Sequence, residues 1–538
     1  MAEKEFFARK ATGLIRNISP WTAMMIGFVV VIGMGWQKRV FQAVGWAPIP
    51  ENTFVLGLAP MTMAFIITGI IALPTCYVLG YLSAAMPRSS SQYVALTRTV
   101  HPVFGMVGTW LELVFFLLVI GMVSVVTWEA TAIFSGLLGV DLSVLMQPVV
   151  LFLLGALYVA IFAIIASFGV RLWGTLMSVL FWIPLLATIV MFALFAIADP
   201  TSMAAGILAT TGHTAEEYTK AALNQGMATA FKGNYWDAMD VCILAAAWAW
   251  TGFGSATFVA GEVKEASKRM LNVMLFTGVA ILVVYAIATQ LCALAAMAAG
   301  KIGDFSFYSA FGYLSWGGGS LSQAGLPTSV KAFLPVVAAF QAAGSGWMFL
   351  VPVMASVGIL WTINGIPAEL LVSSRIIFAM AFDRVLPEKV AYVNERYHSP
   401  VVATIVCAVV SSVGLAAESG LLGPLAGWVA AGDLWDYIFF AFVCVAGIIF
   451  PYRLKEIYKA CPIKQEVGGV PLITIVSIFA LLGNLWVIVT AAPTLTFEAA
   501  TFTVLMMILP ALIYYYYRAR ARMTKVDYGT IYTSLPPE

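Results

Sequence analysis

Residues 26–36 read IGFVVVIGMGW and residues 246–258 read AAWAWTGFGSATF. Each stretch is apolar enough to lie in a bilayer. Each is also interrupted by Gly-x-Gly, as Gly33-Met34-Gly35 in the first and Gly252-Phe253-Gly254 in the second. Glycine inside a helix costs about 1 kcal/mol relative to alanine, so the pairs mark points where a helix unwinds. Unwound backbone at membrane depth must be satisfied by protein or by a water-filled cavity. Amides freed at the start of the following half-helix favour an anionic group, and freed carbonyls favour a cation or an ammonium. Small residues also let helices approach closely, so a single interruption reads either way. Two at matching places point to a binding site.

The rest of the chain gives these stretches their setting. Of 538 residues, 62% are hydrophobic and 10% charged, and the mean hydropathy is +0.95. A soluble domain carries about a quarter charged residues. About 20 apolar residues cross a bilayer core of ~30 Å. Apolar runs bounded by Gly, Pro and charge give spans at 19–45, 56–84, 103–136, 147–168, 172–198, 238–261, 270–299, 346–382, 400–417, 423–451, 470–491 and 498–517. The reading is an all-α integral membrane protein with twelve transmembrane helices. A net charge of +2 does not suit nucleic-acid binding. The six cysteines form no CxxC pair and read as small buried hydrophobes. His101, His213 and His398 are too far apart to make a metal-ligand spacing.

Lys and Arg set the orientation. With the N-terminus inside, 22 of the 28 fall on cytoplasmic segments, as the positive-inside rule requires. Both termini are therefore expected in the cytoplasm of a multi-pass cell-membrane protein. The start, MAEKEFFARKATGLIRNISPW, lacks a short apolar core, so the first span is expected to act as its own insertion signal. Two outer segments are long. Residues 199–237 have helical periodicity. Residues 300–345 are rich in Gly and Ser, then turn apolar at KAFLPVVAAFQ, which is either an external helix over the bundle or a flexible loop.

The two glycine breaks lie in spans 1 and 6, five spans apart, so the spans run in opposite directions. The repeat is therefore inverted. Its halves are residues 19–198 (spans 1–5) and 238–451 (spans 6–10), separated by the loop 199–237. Spans 11 and 12 (452–517) stand outside it, between an N-terminal segment 1–18 and a tail 518–538.

Four local patterns now resemble a known family. IGFVVVIGMG at 26–35 is similar to the span 1 glycine motif of amino acid–polyamine–organocation transporters, with Met34 in place of the usual small residue. LGYLSAAMPRSSSQYVALTR at 79–98 resembles their Pro-Arg-Ser-Gly-Gly-x-Tyr junction, with Ser90 and Ser91 where glycines are usual. AAWAWTGFGSATFVAGEVKEASKRM at 246–270 and SSRIIFAMAFDRVLPEKVAYVNERYHSP at 373–400 resemble the stretches that end spans 6 and 8. The resemblance covers roughly residues 15–520. It implies a LeuT-type fold, a five-plus-five inverted repeat with two added helices. It also implies secondary transport of an amino acid or related amine.

The resemblance places the substrate carboxylate at Ile32, Gly33, Met34 and Gly35. It places the ammonium and side chain near Ala247, Trp248, Trp250, Thr251, Gly252, Phe253 and Gly254, with Trp248 as an aromatic gate. Trp250 reads equally as a packed core residue. It implies that Arg88, Glu262, Arg375 and Asp383 form a cytoplasmic gate. Plain positive-inside topology accounts for the basic ones equally well.

Two departures bear on coupling. Gly254 stands where some members carry Glu, and span 5 has no Lys, which weakens proton coupling by either route. The remaining readings are exchange, Na⁺ held by Ser356, Thr362 and Asn364 on span 8, or H⁺ carried by another group, Glu369 first. No other cofactor is expected. Among the intramembrane acids Glu112, Glu129, Glu369, Asp433 and Asp436, Glu129, Asp433 and Asp436 read as outer-surface and solvated. No acid is expected within a turn of either break, which favours a neutral amino acid over a polyamine or arginine. The partners expected are that substrate and the lipid bilayer. An intramembrane enzyme would need a catalytic motif, and a channel a pore loop; neither is visible.

Overall fold

The computed structural model describes residue 8 and residues 11–50, 54–429, 432–523 and 528–537. Lys4, Arg9, Lys10 and Lys525 lie outside the described residues, as do the side chains of Met34, Arg171 and Asp433. Twelve helices among the described residues are long and apolar enough to cross a membrane. They run Pro20–Trp46, Pro60–Ala85, Pro102–Leu137, Pro148–Ser167, Leu172–Ala196, Tyr235–Glu262, Ala266–Ala298, Met348–Phe382, Val401–Glu418, Leu434–Arg453, Leu472–Thr494 and Phe497–Arg522. Proline opens the first four, where its missing N–H costs no hydrogen bond. Ser19 caps the first by accepting from Thr22 N at 3.0 Å.

Two ends differ from expectation. Span 10 was expected from residue 423, but Gly423–Val429 is a 3-10 turn and the helix begins at Gly432. Hydropathy does not register that change of winding. The last helix continues to Met523, because YYYYRARAR keeps helix-forming residues after the apolar run ends.

Packing follows the repeat. Span 1 packs on span 7 as span 6 packs on span 2. Span 3 packs on span 10 as span 8 packs on span 5, and spans 3 and 4 pair as spans 8 and 9 do. Exchanging each span for its counterpart five away (1 for 6, 2 for 7, 3 for 8, 4 for 9, 5 for 10) therefore maps these contacts onto one another. Span 11 lies on spans 2 and 10, and span 12 lies on span 3.

The two long connections are folded. Residues 199–237 hold the helices Pro200–Thr211 and Ala215–Asn224. KAFLPVVAAFQ forms most of the buried helix Leu334–Gly344, the external-helix reading. It meets Pro200–Thr211 backbone to backbone. A Cβ on Gly206 would stand 1.7 Å from Phe340 O, and one on Gly344 would stand 1.7 Å from Ser202 O. A further helix, Phe307–Trp316, was not anticipated.

Candidate functional site between the broken spans

Span 1 is two helices, Pro20–Val31 and Met34–Trp46. Ile32 N donates to Phe28 O at 2.8 Å and Gly33 N to Val31 O at 3.0 Å, which closes the first half. The second half starts at Gly33 with no side-chain cap. Its first-turn amides have no intrahelical acceptor, so the positive end of a half-helix opens at this point.

Span 6 breaks differently. The helix Tyr235–Trp250 ends, Thr251 is extended, and Gly252 adopts φ +82°. The chain then continues as a ten-residue 3-10 helix, Phe253–Glu262. Glycine is required at 252 on two counts: the left-handed φ, and Val30 Cγ1 lying 2.6 Å from where a Cβ would be.

Neighbouring side chains satisfy much of the opened backbone. Tyr285 Oη on span 7 lies 2.6 Å from Ala249 O and 3.1 Å from Val31 O, so one hydroxyl sits on both breaks. Tyr437 Oη donates to Ala247 O at 3.1 Å. Thr251 gives both its amide and its hydroxyl to Trp248 O, at 3.0 and 2.7 Å. Asp436 Oδ2 accepts from Gly252 N at 2.8 Å. This corrects the expectation that Asp436 is solvated near the surface. Asp436, in the first turns of the span 10 helix, is fully buried at the span 6 break. Glu129, a second acid expected in solvent, is mostly buried and pairs with Lys38 at 2.9 Å.

A cavity of about 40 Å³ lies between the breaks. Gly33, Gly35 and Trp36 line it from span 1, and Trp248 and Thr251 from span 6. Phe115, Phe116 and Val119 come from span 3, and Thr362, Gly365 and Glu369 from span 8. Trp248 lies across Gly35 so closely that a Cβ there would stand 2.1 Å from its ring. The Arg39 guanidinium stands 4.7 Å from the ring centroid of the same Trp248. Glu369 is buried, and its Oε2 receives no hydrogen bond from a described residue. The absence of acids near the breaks thus holds along the chain but not in space.

Other residues singled out from the sequence lie elsewhere. Trp250 is buried edge-on against Phe253 and Tyr285, outside the cavity lining. Ile32, Ala247, Gly252, Phe253 and Gly254 belong to the breaks but do not line the cavity. Of the three span 8 polar residues, only Thr362 lines it, with its hydroxyl donating to Gly358 O at 2.7 Å. Ser356 donates to Val353 O, and Asn364 donates to Leu180 O on span 5.

The basic face, where spans 2, 6 and 8 end, is closed by buried ion pairs. Arg375 bonds Glu262 through two nitrogens, at 2.8 and 3.1 Å. Asp383 pairs with Arg98 at 2.5 and 2.9 Å. Arg88 donates to Pro536 O at 2.7 Å. The tail helix Tyr528–Thr533 packs here too: Arg98 donates to Ile531 O and Ser534 O, and it stands over the Tyr532 ring. Arg98 was read from the sequence only as a topology charge. Its place seven residues after Ser91 in the 79–98 motif was the available signal.

Matched helix breaks around a small cavity, inside a bundle of twelve apolar helices, define a membrane transport protein. The amino acid permease family matches residues 18–513, and the chain belongs to that family, within the amino acid–polyamine–organocation superfamily. A search among curated proteins returns no match.

Proposed function

We propose that this permease is a secondary transporter that moves a neutral amino acid across the cell membrane by alternating access, with its termini in the cytoplasm. The observation that carries the proposal is the cavity shared by the two breaks. It joins an uncapped half-helix N-terminus to one buried carboxylate. The span 1 amides at Gly33–Gly35 suit a substrate carboxylate, and Glu369 suits its ammonium. The one acid lining the cavity is then used. The substrate side chain meets Phe115, Phe116 and Val119, which suits an uncharged, apolar group better than a second cation.

Trp248 lies across Gly35 on one side of the cavity, and buried ion pairs close the basic face on the other, so passage of a substrate requires rearrangement. Trp248 over Gly35 on one side, and the Arg375–Glu262 and Arg98–Asp383 pairs on the other, are the closures that must part. Sodium coupling finds less support than the sequence offered, because Ser356 and Asn364 do not reach the cavity. Competition of labelled leucine uptake in proteoliposomes by alanine, leucine, arginine and glutamate tests the substrate class. Inhibition by alanine and unlabelled leucine is expected, and inhibition by arginine alone would overturn the assignment.

A further inference from the structure

Glu112, on span 3, is fully buried, and neither carboxylate oxygen receives a hydrogen bond from a described N–H or O–H donor. The group beside it is another fully buried carboxylate, Asp436. Both groups are acceptors when ionised, and both are fully buried. Like charges this close and this buried cannot both persist, and a proton held by one of them supplies the donor that Glu112 lacks among the described residues.

Asp436 also accepts the Gly252 amide at 2.8 Å, so the pair is wired to the residue that breaks span 6. We propose that Glu112 and Asp436 hold one proton between them, and that its loading and release during the transport cycle make it the coupling ion. This rests on the transport reading above and adds a site to it.

Loading turns one carboxylate into a carboxylic acid whose O–H donates to the other, with the proton drawn from the aqueous phase that the site then faces. Release to the opposite phase leaves two anions that repel. Asp436 is then driven from its place on Gly252 N, and the left-handed turn loses its tether. Among the described residues, Asp436 is the charged group beside Glu112; the Asp433 side chain lies outside them. Tyr285 from span 7 and Tyr437 from span 10 sit on the span 6 carbonyls and donate their hydroxyls there. Glu369 from span 8 lines the cavity beside Phe115 and Phe116, about one helical turn along span 3 from Glu112.

Two measurements test this. The first uses purified protein without substrate. Infrared titration is expected to show a protonated-carboxyl stretch that disappears as pH rises and is missing in Glu112→Gln and Asp436→Asn. A band that persists at every pH, or that both variants retain, would overturn the proposal. The second compares leucine accumulation driven by an inside-alkaline gradient with leucine counterflow, which needs no net coupling. Taking the ratio corrects for poorly folded protein, and Glu112→Gln keeps a donor toward Asp436. The ratio is expected to fall at least tenfold in Glu112→Gln. An unchanged ratio, or accumulation driven by Na⁺ with no proton entry, would sink the assignment. Should the wild type take up no amino acid from the competition panel, the transport reading fails, while the infrared titration still decides whether the pair binds a proton.

Discussion

Gly252→Ala tests the geometry on which the site depends. The substitution keeps the amide that Asp436 accepts, so it changes shape without removing that bond. An alanine Cβ would stand 2.6 Å from Val30 Cγ1. Carbon atoms rest at about 3.5–4.0 Å, so one break must move about 1 Å from the other. Overpacking of this kind costs about 1–3 kcal/mol. The left-handed φ of +82° adds about 1–2 kcal/mol for any residue with a Cβ. The expected loss is therefore about 2–5 kcal/mol, read as unfolding free energy by denaturant titration in mixed micelles. Val30→Ala in the same chain removes Cγ1 and should recover the overpacking part only, leaving about 1–2 kcal/mol. A Gly252→Ala protein within about 0.5 kcal/mol of wild type, the range of a neutral surface change, would refute the reasoning. Complete rescue by Val30→Ala would refute the backbone part of it.

Four further outcomes are expected. Glu262→Gln or Arg375→Met alone should cost about 3–5 kcal/mol, whereas Glu262→Leu with Arg375→Met should come close to wild type; additive losses in the double-mutant cycle would contradict a buried, mutually compensating pair. Glu369→Gln should weaken leucine uptake and alter its pH dependence, and normal transport with an unchanged profile would remove Glu369 from the site. Trp248→Ala should raise the half-saturating leucine concentration at least tenfold, with Trp248→Phe restoring much of it; equal values for all three proteins would exclude a lid. Ending the chain after Met523 removes three hydrogen-bond acceptors from Arg88 and Arg98, each worth about 1.5–3 kcal/mol when the donor is charged. A measurable fall in thermal stability should follow, and an unchanged melting curve would show that the tail holds nothing.

The sequence was most informative where one physical quantity dominates. Hydropathy located the spans because nothing but apolar length crosses a bilayer, and glycine pairs located both breaks because no other residue relaxes the backbone so cheaply. The helix Leu334–Gly344 was legible for the same reason: KAFLPVVAAFQ is apolar and too short to cross. Legibility failed where the answer depends on which span faces which. In the sequence Asp436 sits in GDLWDY at what looks like a polar margin, yet its carboxylate accepts the Gly252 amide, 184 residues away. Arg98 looked like one of many topology charges, because its partner Asp383 lies 285 residues away. Trp250 and Trp248 are two apart on one helix and so point in different directions. The sequence alone did not say which of them faced the cavity.

The 3-10 winding of Phe253–Glu262 carries a mechanical consequence. Ten residues at about 2.0 Å each extend ~20 Å, whereas the same ten as an α-helix, at 1.5 Å each, extend ~15 Å. Rewinding would shorten the segment by ~5 Å, about one α-helical turn. Its far end is Glu262, gripped by Arg375 through two hydrogen bonds. Its near end is Gly252, held by Asp436. The half-helix is thus a stretched rod anchored at both ends, and release at either anchor lets it contract toward the other.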